Sequence, residues 1–409
     1  MNIYDFAVIG GGPAGMFALL EYKRKKPHGN AVLIEKNGTL GRKLLATGGG
    51  RCNLTNKIVS DANYHGSNPK FVRNLFSRFS SEDLQSFFTE RGVSLQNEKG
   101  RIFTKSGKAS DILNVLEREL RTVSAEIILG KRVDIVAKEK NGFRIDLENG
   151  ESVFSKNLLI ASGGASYPQL GSTEDSVKFA EIMKVKCSVM KPALTGINSD
   201  DRRLKGMRGV SFRAVFILLK NGKKVCRIEG DAITTDYGLS GPAVMDITNF
   251  IEDTHKDKYI IKVNFQHGTT CEDEYEKLTR FCENNKKLSV KRYFEKSVPS
   301  RISTAIISGE LKGKNEKCGM ISREDRKRLS MFFTGYEAAV TSLRGMEEAQ
   351  AVKGGVDLAE VDPKTMQSVK VKGLYFAGDA LDIWGDCGGY NLQFAFSSGM
   401  IVGSSVAVE

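Results

Sequence analysis

The hydrophobic pattern of the first 35 residues predicts a strand, a helix and a second strand. Residues 6–9 (FAVI) form a short apolar run that ends at glycine, and residues 31–35 (AVLIE) form another. Between them lies a helix-forming segment that ends in the basic cluster KRKK (23–26), whose cations suit a helix C-terminus. Short continuous apolar runs are typical of strands buried on both faces of a parallel sheet. The pattern therefore predicts a βαβ unit.

The turn between the first strand and the helix carries a dinucleotide-binding fingerprint. Gly10, Gly12 and Gly15 have the G-x-G-x-x-G spacing, and Glu35 ends the second strand. In this arrangement the glycines allow a tight turn, a close approach of pyrophosphate and close helix packing. A carboxylate at position 35 suits ribose hydroxyls and disfavours a 2′-phosphate, which indicates FAD or NAD rather than NADP. We expect cofactor contacts from Gly10, Gly12, Pro13, Ala14, Gly15, Glu35 and Lys36.

A second glycine-rich segment, LLATGGGRCNLTN (44–56), follows the second strand directly. It is either a slack surface loop or a place where a ligand approaches the backbone closely. Loops at the carboxyl ends of the strands line the ligand crevice of a doubly wound sheet, and successive glycine N–H groups can form an anion-binding nest. We therefore predict a second approach to the same cofactor, through Lys43, Thr47, Gly49, Gly50, Arg51, Cys52 and Asn53.

Later patterns predict antiparallel strands and a large insert. Residues 132–154 alternate around two Asn-Gly turns, and LLIASGG (158–164) is a strand ending in glycines, where we expect Ser162 and Gly163 at the cofactor. In the insert, residues 212–235 and 259–265 read as strands, whereas residues 272–328 become helical and charged. A further apolar strand, within 372–381, ends at Gly378-Asp379.

Five motifs follow one another along the chain: GRKLLATGGGRCNLTN (41–56), GRIFTKSGKASDILNVLERELR (100–121), NLLIASGGASYPQLGST (157–173), DYGLSGPAV (236–244) and GLYFAGDALDIWGDCGGYNLQFAFSSG (373–399). This ordered set resembles a bacterial flavoprotein family of NAD(P)/FAD-dependent oxidoreductases. Aminoacetone oxidase and a bile-acid-intermediate reductase are among its better-known members. The resemblance covers most of the chain.

Together with the pattern, the resemblance implies an α/β fold of the two-dinucleotide-binding-domain flavoprotein type. It implies a Rossmann-like FAD-binding domain (1–190 and 350–409), an inserted β-barrel-like substrate domain (191–270 and 330–349) and a helical subdomain (271–329). In such proteins the aspartate at position 379 binds a ribityl hydroxyl of FAD. The further FAD contacts implied are Val133, Tyr167, Gly378, Gly389, Asn391 and Leu392.

The resemblance implies an FAD-dependent oxidoreductase that acts on a small organic substrate, as a reductase or an amine-oxidase-like enzyme. Only one complete dinucleotide fingerprint occurs in the chain, so NAD(P)H would visit the flavin as a transient co-substrate without a Rossmann domain of its own. Otherwise the substrate is the reductant and oxygen the oxidant. Two rival classes stay open: a flavin-dependent RNA-modifying or RNA-binding protein, and a flavin-binding protein without turnover.

Candidates for acid–base chemistry are few. Family members often carry a histidine in the segment that reads TTDYGLSGP here, and Asp236 takes its place. We therefore expect Asp236 and Tyr237 at the substrate, with Tyr390 and Asp386 from the C-terminal motif. Each is more readily a positioning group than a proton donor.

Composition narrows the class of protein further. The net charge is +12, but basic and acidic residues are interspersed, which favours a solvated basic surface over a nucleic-acid site. The seven cysteines are scattered without a C-x-x-C pair, which favours a reducing cytosol. No metal site is expected, because no histidine lies near a cysteine pair. We also expect no membrane span and no signal peptide, since the apolar runs are strand-sized.

Overall fold

The computed structural model describes residues 3–408, except for the side chain at position 205. Its contacts divide the chain into two compact units. Unit 1 comprises Met1–Pro192 and Ala349–Glu409, and unit 2 comprises Ala193–Glu348. The three-part division expected from the sequence stays a prediction.

From residue 3 onward, the described part of the first segment contains eleven strands and six α-helices. They are β1 (Ile3–Ile9), α1 (Pro13–Lys25), β2 (Ala31–Glu35), α2 (Arg42–Ala46), β3 (Asn53–Asn56), β4 (Tyr64–Gly66), α3 (Val72–Phe76), α4 (Ser81–Thr89), β5 (Leu95–Glu98), β6 (Arg101–Thr104), α5 (Ser110–Thr122), β7 (Glu126–Leu129), β8 (Val133–Glu139), β9 (Gly142–Leu147), β10 (Ser152–Ile160), α6 (Asp175–Ile182) and β11 (Cys187–Ala193).

The remaining elements fall in unit 2 and then in the returning segment of unit 1. Unit 2 contains β12 (Ile197–Asn198), α7 (Arg202–Gly206), β13 (Ser211–Lys220), β14 (Lys223–Thr234), β15 (Gly238–Ser240), α8 (Pro242–Ile247), β16 (Tyr259–Asn264), α9 (Cys271–Asn284), α10 (Lys291–Phe294), α11 (Ser300–Leu311), α12 (Arg323–Gly335), β17 (Tyr336–Val340) and β18 (Ser342–Leu343). The chain then adds β19 (Ala351–Val356), β20 (Leu374–Phe376), β21 (Ile383–Gly385) and α13 (Tyr390–Val408) to unit 1.

The main sheet of unit 1 has a parallel core. Its strand order is β7-β2-β1-β10-β9-β8, and β20 pairs with β10. β7, β2, β1, β10 and β20 are parallel neighbours, whereas β8 and β9 join as an antiparallel meander. The apolar run of β1 is buried on both faces, which explains its lack of alternation. The predicted parallel α/β sheet is confirmed.

The register of this sheet determines where its loops open. Ile9 of β1 pairs with Ile34 of β2 and with Ile160 of β10, and Ile160 pairs with Phe376 of β20. The four strands therefore end at the same level. Because they are parallel, the loops that follow them lie together at one edge of the sheet.

Helices α1 and α13 pack closely at one face of the sheet. A Cβ atom at Gly399 or at Gly403 would overlap the backbone carbonyl oxygen of Ala14 or of Ala18, respectively. Only glycine permits this approach. The C-terminal helix thereby fixes the first turn of α1, which borders the pocket described below.

Unit 2 is built on an antiparallel sheet with its own hydrophobic core. The strand order is β17-β16-β13-β14-β15-β12-β18. The two edge strands are consecutive in the chain, with only Thr341 between them, so the sheet curves strongly. Helices α9 to α12 lie between β16 and β17 and share the core of the sheet. A barrel-like closure and a separate helical subdomain stay predictions.

Candidate functional site

A deep pocket lies at the carboxyl edge of the parallel strands of unit 1. The loops after β1, β2, β10 and β20 contribute residues 9–14, 34–37, 161–164 and 377–379 to its walls. The pocket therefore opens where the loops of these four parallel strands meet, which is the place at which dinucleotides bind in doubly wound sheets.

The glycine fingerprint at β1 and α1 performs two separate tasks. A Cβ at Gly10 would overlap the Ala161 carbonyl oxygen, and one at Gly15 would overlap the Gly10 carbonyl oxygen. These two glycines permit close packing. A Cβ at Gly12 would meet nothing within 4 Å, and Gly12 is the N-cap of α1 and lines the pocket. The space before the helix N-terminus suits the negative charge of a pyrophosphate.

Glu35 is buried at the end of β2 and already accepts three hydrogen bonds. Its Oε2 lies 2.7 Å from the backbone nitrogen of Gly11. Its Oε1 accepts from the backbone and side-chain nitrogens of Asn37 at 2.8 and 2.7 Å. Because a carboxylate has about four lone-pair sites, Oε2 retains acceptor capacity for a ribose hydroxyl. Glu35 therefore also orders the turn that carries the glycines.

The pocket wall contains a buried hydroxyl group whose hydrogen-bonding capacity is unsatisfied. Ser162 lines the pocket just after β10, and its hydroxyl is buried without a hydrogen-bond partner among the described residues. Buried hydroxyls rarely stay unpaired, since leaving one unsatisfied costs about 1–3 kcal/mol. Together with the open space at Gly12, this hydroxyl fits a polar dinucleotide such as FAD.

Lys43 and Asp379 meet inside the pocket. The Lys43 Nζ lies 2.8 Å from Asp379 Oδ2 and 2.6 Å from the hydroxyl of Ser166, which is fully buried. Asp379 Oδ2 is thus engaged by an ammonium group, and Oδ1 retains capacity to accept a hydrogen bond. The ion pair fixes the orientation of the aspartate.

A second charged cluster lies on the Glu35 side of the pocket, around Asp175 of α6. Asp175 accepts from Arg132 at 2.9 Å, from Lys36 at 3.2 Å and from the Thr173 hydroxyl at 2.6 Å. Burial alone would raise the pKa of Asp175, but the Thr173 hydrogen bond and the Lys36 charge outweigh burial and lower it. The carboxylate is therefore ionised and holds two cations at this end.

The triple-glycine loop has a backbone that only glycine adopts easily. Gly48, Gly49 and Gly50 have φ angles of 58°, 66° and 87°, in the left-handed region that costs other residues roughly 1–2 kcal/mol each. Cys52 also has positive φ, and its backbone nitrogen donates to the Thr47 carbonyl at 3.0 Å. The run is thus an ordered loop of successive left-handed residues.

The glycine-rich segments from the two ends of the chain contact each other. Asn56 Nδ2 donates to the Gly388 carbonyl at 3.1 Å. With its amide oxygen turned toward Gly389, Asn53 accepts from the Gly389 N–H at 3.1 Å. A Cβ at Gly389 would lie 2.6 Å from the Thr55 carbonyl oxygen. β3 therefore packs backbone to backbone against the turn that precedes α13.

The C-terminal acid–base candidates lie near this contact. Asp386 Oδ1 is 2.7 Å from the Nε2 atom of His65, on the neighbouring strand β4. Tyr390 is buried, and its carbonyl accepts from the Tyr64 hydroxyl at 2.8 Å. Neither Asp386 nor Tyr390 lines the pocket itself, whereas Asn391 and Leu392, in the first turn of α13, do so.

The other two candidates lie in unit 2, in the loop between β14 and β15. The Arg344 guanidinium lies 4.4 Å from the centre of the Tyr237 ring and is ion-paired with Glu348. Burial and the negative charge of Glu348 raise the pKa of the Tyr237 phenol. Asp236 is exposed, with its Oδ2 atom 3.9 Å from Arg208. The Tyr237 phenol therefore stays protonated, and its O–H faces the Glu348 carboxylate.

Sequence comparison places this chain among known proteins. The sequence profile described as the Rossmann domain of HI0933-like proteins matches residues 4–405. The chain belongs to the HI0933-like family. This is a family of FAD-dependent oxidoreductases with a Rossmann-like FAD-binding domain, and the flavoprotein resemblance found in the motifs is confirmed.

Two kinds of HI0933-like relative span nearly the whole chain. The chain is 27% identical over 402 residues to the 3-dehydro-bile acid delta(4,6)-reductase of Clostridium scindens, covering 98% of each protein. It is 30% identical over 407 residues to the ribosomal RNA dihydrouridine synthase of Haemophilus influenzae, again covering 98% of each. The synthase of the same name from Escherichia coli is 30% identical, covering 97% of this chain and 96% of the relative.

Solved structures share the fold. The 3-ketosteroid delta1-dehydrogenase of Sterolibacterium denitrificans aligns over 100% of both chains, with a TM-score of 0.50 and 11% identity. The quinol fumarate reductase FrdA of E. coli aligns over 100% of this chain and 70% of its own, with a TM-score of 0.51 and 13% identity. At such identities the likeness concerns the fold alone.

The pocket contains many of the residues expected to bind FAD in this HI0933-like chain. Those that line it are Gly10, Gly12, Pro13, Ala14, Glu35, Lys36, Lys43, Thr47, Val133, Ser162, Gly163, Gly378, Asp379, Asn391 and Leu392. Those that lie outside the lining are Gly15, Gly49, Gly50, Arg51, Cys52, Asn53, Tyr167 and Gly389. FAD contacts by either group stay predictions.

Several residues outside the lining have other contacts that explain their position. The Arg51 guanidinium forms an ion pair with Glu98 and lies 4.3 Å from the centre of the Phe103 ring. Cys52 is fully buried, and burial raises the pKa of its thiol to about 12. The Cys52 thiol therefore packs into the hydrophobic core of unit 1.

Sequence reasoning missed part of the pocket wall. Gly11, Asn37, Arg132, Asp175 and Gln350 line it without having been expected there. The available signals were weak: Gly11 lies inside the fingerprint, and Asn37 follows Glu35 by two residues. No local pattern marks Arg132 or Asp175, because their role depends on a contact between β8 and α6 that only folding creates.

The structure shows neither a metal centre nor a membrane helix in the part of the chain that it describes. Within residues 3–408, no group of three or more His, Cys, Asp and Glu side chains is arranged to hold a metal ion. No helix among the same residues is long and apolar enough to cross a membrane.

Proposed function

We propose that this protein is an FAD-dependent reductase that saturates a carbon–carbon double bond conjugated to a carbonyl group in a small organic substrate. NAD(P)H is the proposed visiting reductant. The observation that carries the proposal is the near full-length similarity to two kinds of enzyme whose names describe the same step. A delta(4,6)-reductase removes double bonds from a 3-oxo steroid, and a dihydrouridine synthase saturates the double bond of a uracil ring.

The geometry of the pocket supports this proposal. When bound, FAD would supply a hydride to the substrate. Gly12 and the α1 N-terminus would hold the pyrophosphate, Glu35 the adenosine ribose, and Ser162 and Asp379 other polar groups of the cofactor. The N-terminus of α13 borders the pocket at Asn391 and Leu392, and its partial positive charge would favour negative charge on a ring placed there.

Tyr237 and Asp236 are the proposed substrate-orienting residues of unit 2. The O–H of the Tyr237 phenol would turn from Glu348 to the carbonyl oxygen of an α,β-unsaturated substrate, because that oxygen gains negative charge when hydride adds to the β carbon. Tyr390 and Asp386 remain candidates from unit 1.

A second candidate substrate is uridine within RNA. One observation favours it: the ribosomal RNA dihydrouridine synthases are 30% identical across nearly the whole chain. The net charge of +12 would assist the approach of a polyanion but does not by itself distinguish an RNA site from a solvated surface. The same reduction would then act on the uracil ring of an RNA nucleotide.

Anaerobic spectroscopy separates these possibilities. The purified protein is reduced with NADH or NADPH, and reoxidation of the flavin absorbance is followed after adding one of three probes: cyclohex-2-enone, a 3-oxo-4,6-diene steroid, or a uridine-rich RNA transcript. Reoxidation with a product that has gained two hydrogen atoms supports the reductase. Activity with the transcript alone selects the RNA candidate.

Two other outcomes contradict the proposal. Reoxidation by oxygen together with reduction by an amine would indicate the oxidase direction. A protein that binds FAD but is reduced neither by NADH or NADPH nor by any organic donor would be a flavin-binding protein without turnover. The variant Gly12→Ala, which is expected to lose FAD, controls for reduction by contaminating enzymes.

A further inference from the structure

The end of the pocket nearest to helix α6, called the α6 end below, is lined by Lys36, Arg132 and Asp175. The three residues come from separate segments: the loop after β2, the turn before β8 and the first turn of α6. The Gly130 N–H donates to the Asn37 carbonyl at 3.0 Å, which joins the first two segments. Asp175 joins the third segment to both of them through its side chain.

Asp175 uses both carboxylate oxygens to hold the two cations. Oδ1 accepts from Arg132 Nη2 at 2.9 Å, and Oδ2 accepts from Lys36 Nζ at 3.2 Å. The Thr173 hydroxyl connects the cluster, because it accepts from Lys36 Nζ at 2.6 Å and donates to Oδ2 at 2.6 Å. The Asp175 side chain is 10% exposed, against 22% for Lys36 and 46% for Arg132. The carboxylate is therefore the buried centre of the cluster, and the cations are its more exposed members.

Apolar side chains line the same part of the pocket. Val133 and Phe179 are buried and belong to its wall, and Phe179 lies one helical turn after Asp175 on the same face of α6. Glu35, the proposed partner of the adenosine ribose, directly precedes Lys36. A purine has apolar ring faces and ring nitrogens that accept hydrogen bonds, so apolar walls beside ammonium and guanidinium donors suit it.

We propose that Asp175 is a positioning residue for the adenosine half of FAD, which keeps Lys36 and Arg132 in place as hydrogen-bond donors to the adenine. A lysine or arginine that is held before the ligand arrives loses less conformational entropy on binding. The α6 end is then the part of the pocket that distinguishes FAD from FMN, because FMN has the same isoalloxazine without adenosine. This inference rests on the FAD binding within the proposed function, and it does not depend on the reduction of any substrate.

The test compares Asp175→Asn with Asp134→Asn in the full-length apoprotein. Asp134 of β8 pairs with Lys178 of α6 at 3.2 Å, so it also joins β8 to α6, but its side chain is mostly exposed and does not line the pocket. Each protein is titrated with FAD, with FMN and with ADP, which carries the adenosine half alone. We expect Asp175→Asn to raise the dissociation constants of FAD and ADP by about tenfold relative to that of FMN. Asp134→Asn should leave all three at wild-type values.

The comparison with FMN separates positioning from general effects. Removal of one negative charge from Asp175 should by itself favour all three ligands, because all carry phosphate, and a loosened fold should weaken all three. Only a loss confined to the adenosine half changes the affinities for FAD and ADP relative to the affinity for FMN. An Asp175→Asn protein that binds FAD and ADP as the wild type does, or that loses affinity for FMN by the same factor, would overturn the inference.

Double-mutant cycles identify the cation through which Asp175 acts. Lys36→Met and Arg132→Met each remove the charge and keep an unbranched side chain. If Asp175 acts by holding one of these cations, the loss of FAD affinity in the double variant should be smaller than the sum of the two single losses. Strictly additive losses in both cycles would mean that Asp175 acts through neither cation, which contradicts the inference.

Two further measurements exclude a defect of the fold. The melting temperature of the apoprotein and the reduction potential of bound FAD should be the same in Asp175→Asn and in the wild type, because the change lies at the adenosine half of the cofactor. Asp175→Glu keeps the charge and should retain part of the affinity for FAD. If the wild-type protein binds no FAD, the proposed function fails; if it binds FAD and Asp175→Asn behaves like the wild type, only this inference fails.

Discussion

Lys43 and Asp379 form an ion pair in the pocket, with 2.8 Å between Nζ and Oδ2. The lysine follows the second strand of the chain and the aspartate follows β20, 336 positions later. The two ends of the chain thus meet at one electrostatic contact in the cofactor-binding unit. Because both side chains are mostly buried, at 27% and 21% exposure, removal of either partner leaves a poorly solvated charge.

Replacing Lys43 with Met should weaken FAD retention. Asp379 would lose its cation and would present an uncompensated carboxylate to the pocket. We expect the FAD dissociation constant to rise about tenfold, which corresponds to roughly 1.4 kcal/mol. The measurement is fluorescence titration of the apoprotein with FAD.

A double-mutant cycle with Asp379→Asn controls for unrelated effects of the lysine. If the ion pair carries the effect, the double variant should bind FAD better than the two single losses would predict on adding their free energies. Additive losses would mean that Lys43 and Asp379 contact the cofactor independently.

Gly12→Ala and Gly15→Ala are a matched pair with opposite expected outcomes. Gly12 has a φ of −82° and an open space where a Cβ would stand, so alanine should leave the apoprotein as stable as before and obstruct the pyrophosphate. At Gly15 the Cβ would overlap the Gly10 carbonyl oxygen, so alanine should destabilise the fold by roughly 1–3 kcal/mol.

Thermal unfolding of the two apoproteins and FAD titration distinguish these effects. Melting temperatures must be compared without FAD, because ligand binding itself raises apparent stability. A Gly12→Ala protein that binds FAD normally would show that the pyrophosphate does not approach this turn.

The cofactor half of the site was predictable because its signals are local. The fingerprint, the strand before it and Glu35 lie within about thirty residues, and Gly10 and Gly15 are required by nearby backbone contacts. The return of the chain to the first unit was also expected, since the family resemblance implies that the strand ending at Gly378-Asp379 belongs to the FAD-binding domain.

The rest depends on contacts between distant segments. His65 is an isolated histidine in the sequence, and its contact with Asp386 forms only when β4 pairs with β21. Asp175 and Arg132 likewise become partners through the packing of α6 near β8. Cys52 lies in the glycine-rich motif, and sequence spacing alone does not tell that its side chain faces the core.

Glu274 in α9 should make the free energy of unfolding of unit 2 depend on pH. The side chain is 2% exposed and its Oε1 atom has no hydrogen-bond partner among the described residues. Burial raises the pKa of Glu274 above its ordinary value. A raised folded-state pKa gives stability that is fully present below the unfolded pKa and is lost as pH rises through the folded pKa.

Glu274→Gln should therefore gain stability relative to the wild type as pH rises from about 4 to about 8. A difference of about 1 kcal/mol would shift the melting temperature by about 2–4 °C. Glu272→Gln, on the exposed face of the same helix, is the control and should show no such trend. Parallel melting curves for Glu274→Gln and the wild type at every pH would contradict the raised pKa.

The last prediction concerns the loop that carries Asp236 and Tyr237. The double variant Asp236→Asn/Tyr237→Phe should keep its fold, for reasons that the structure supplies. Asp236 and Arg208 are both mostly exposed, at 61% and 68%, and such pairs contribute little to stability. Phenylalanine keeps an aromatic ring beneath the Arg344 guanidinium, so the contact at 4.4 Å is retained.

What the double variant loses is the phenol hydroxyl and one carboxylate charge. If the hydroxyl binds the substrate carbonyl, the rate of flavin reoxidation by the substrate should fall at least about tenfold, as expected when a hydrogen bond to developing charge is removed. FAD content, melting temperature and reduction by NAD(P)H should stay at wild-type values. Asp231→Asn, on the exposed side of β14 with Arg213 at 4.0 Å, controls for a change of surface charge. Normal turnover in the double variant would exclude this loop from the reaction, and Tyr390 and Asp386 of unit 1 would then be the remaining candidates at the substrate.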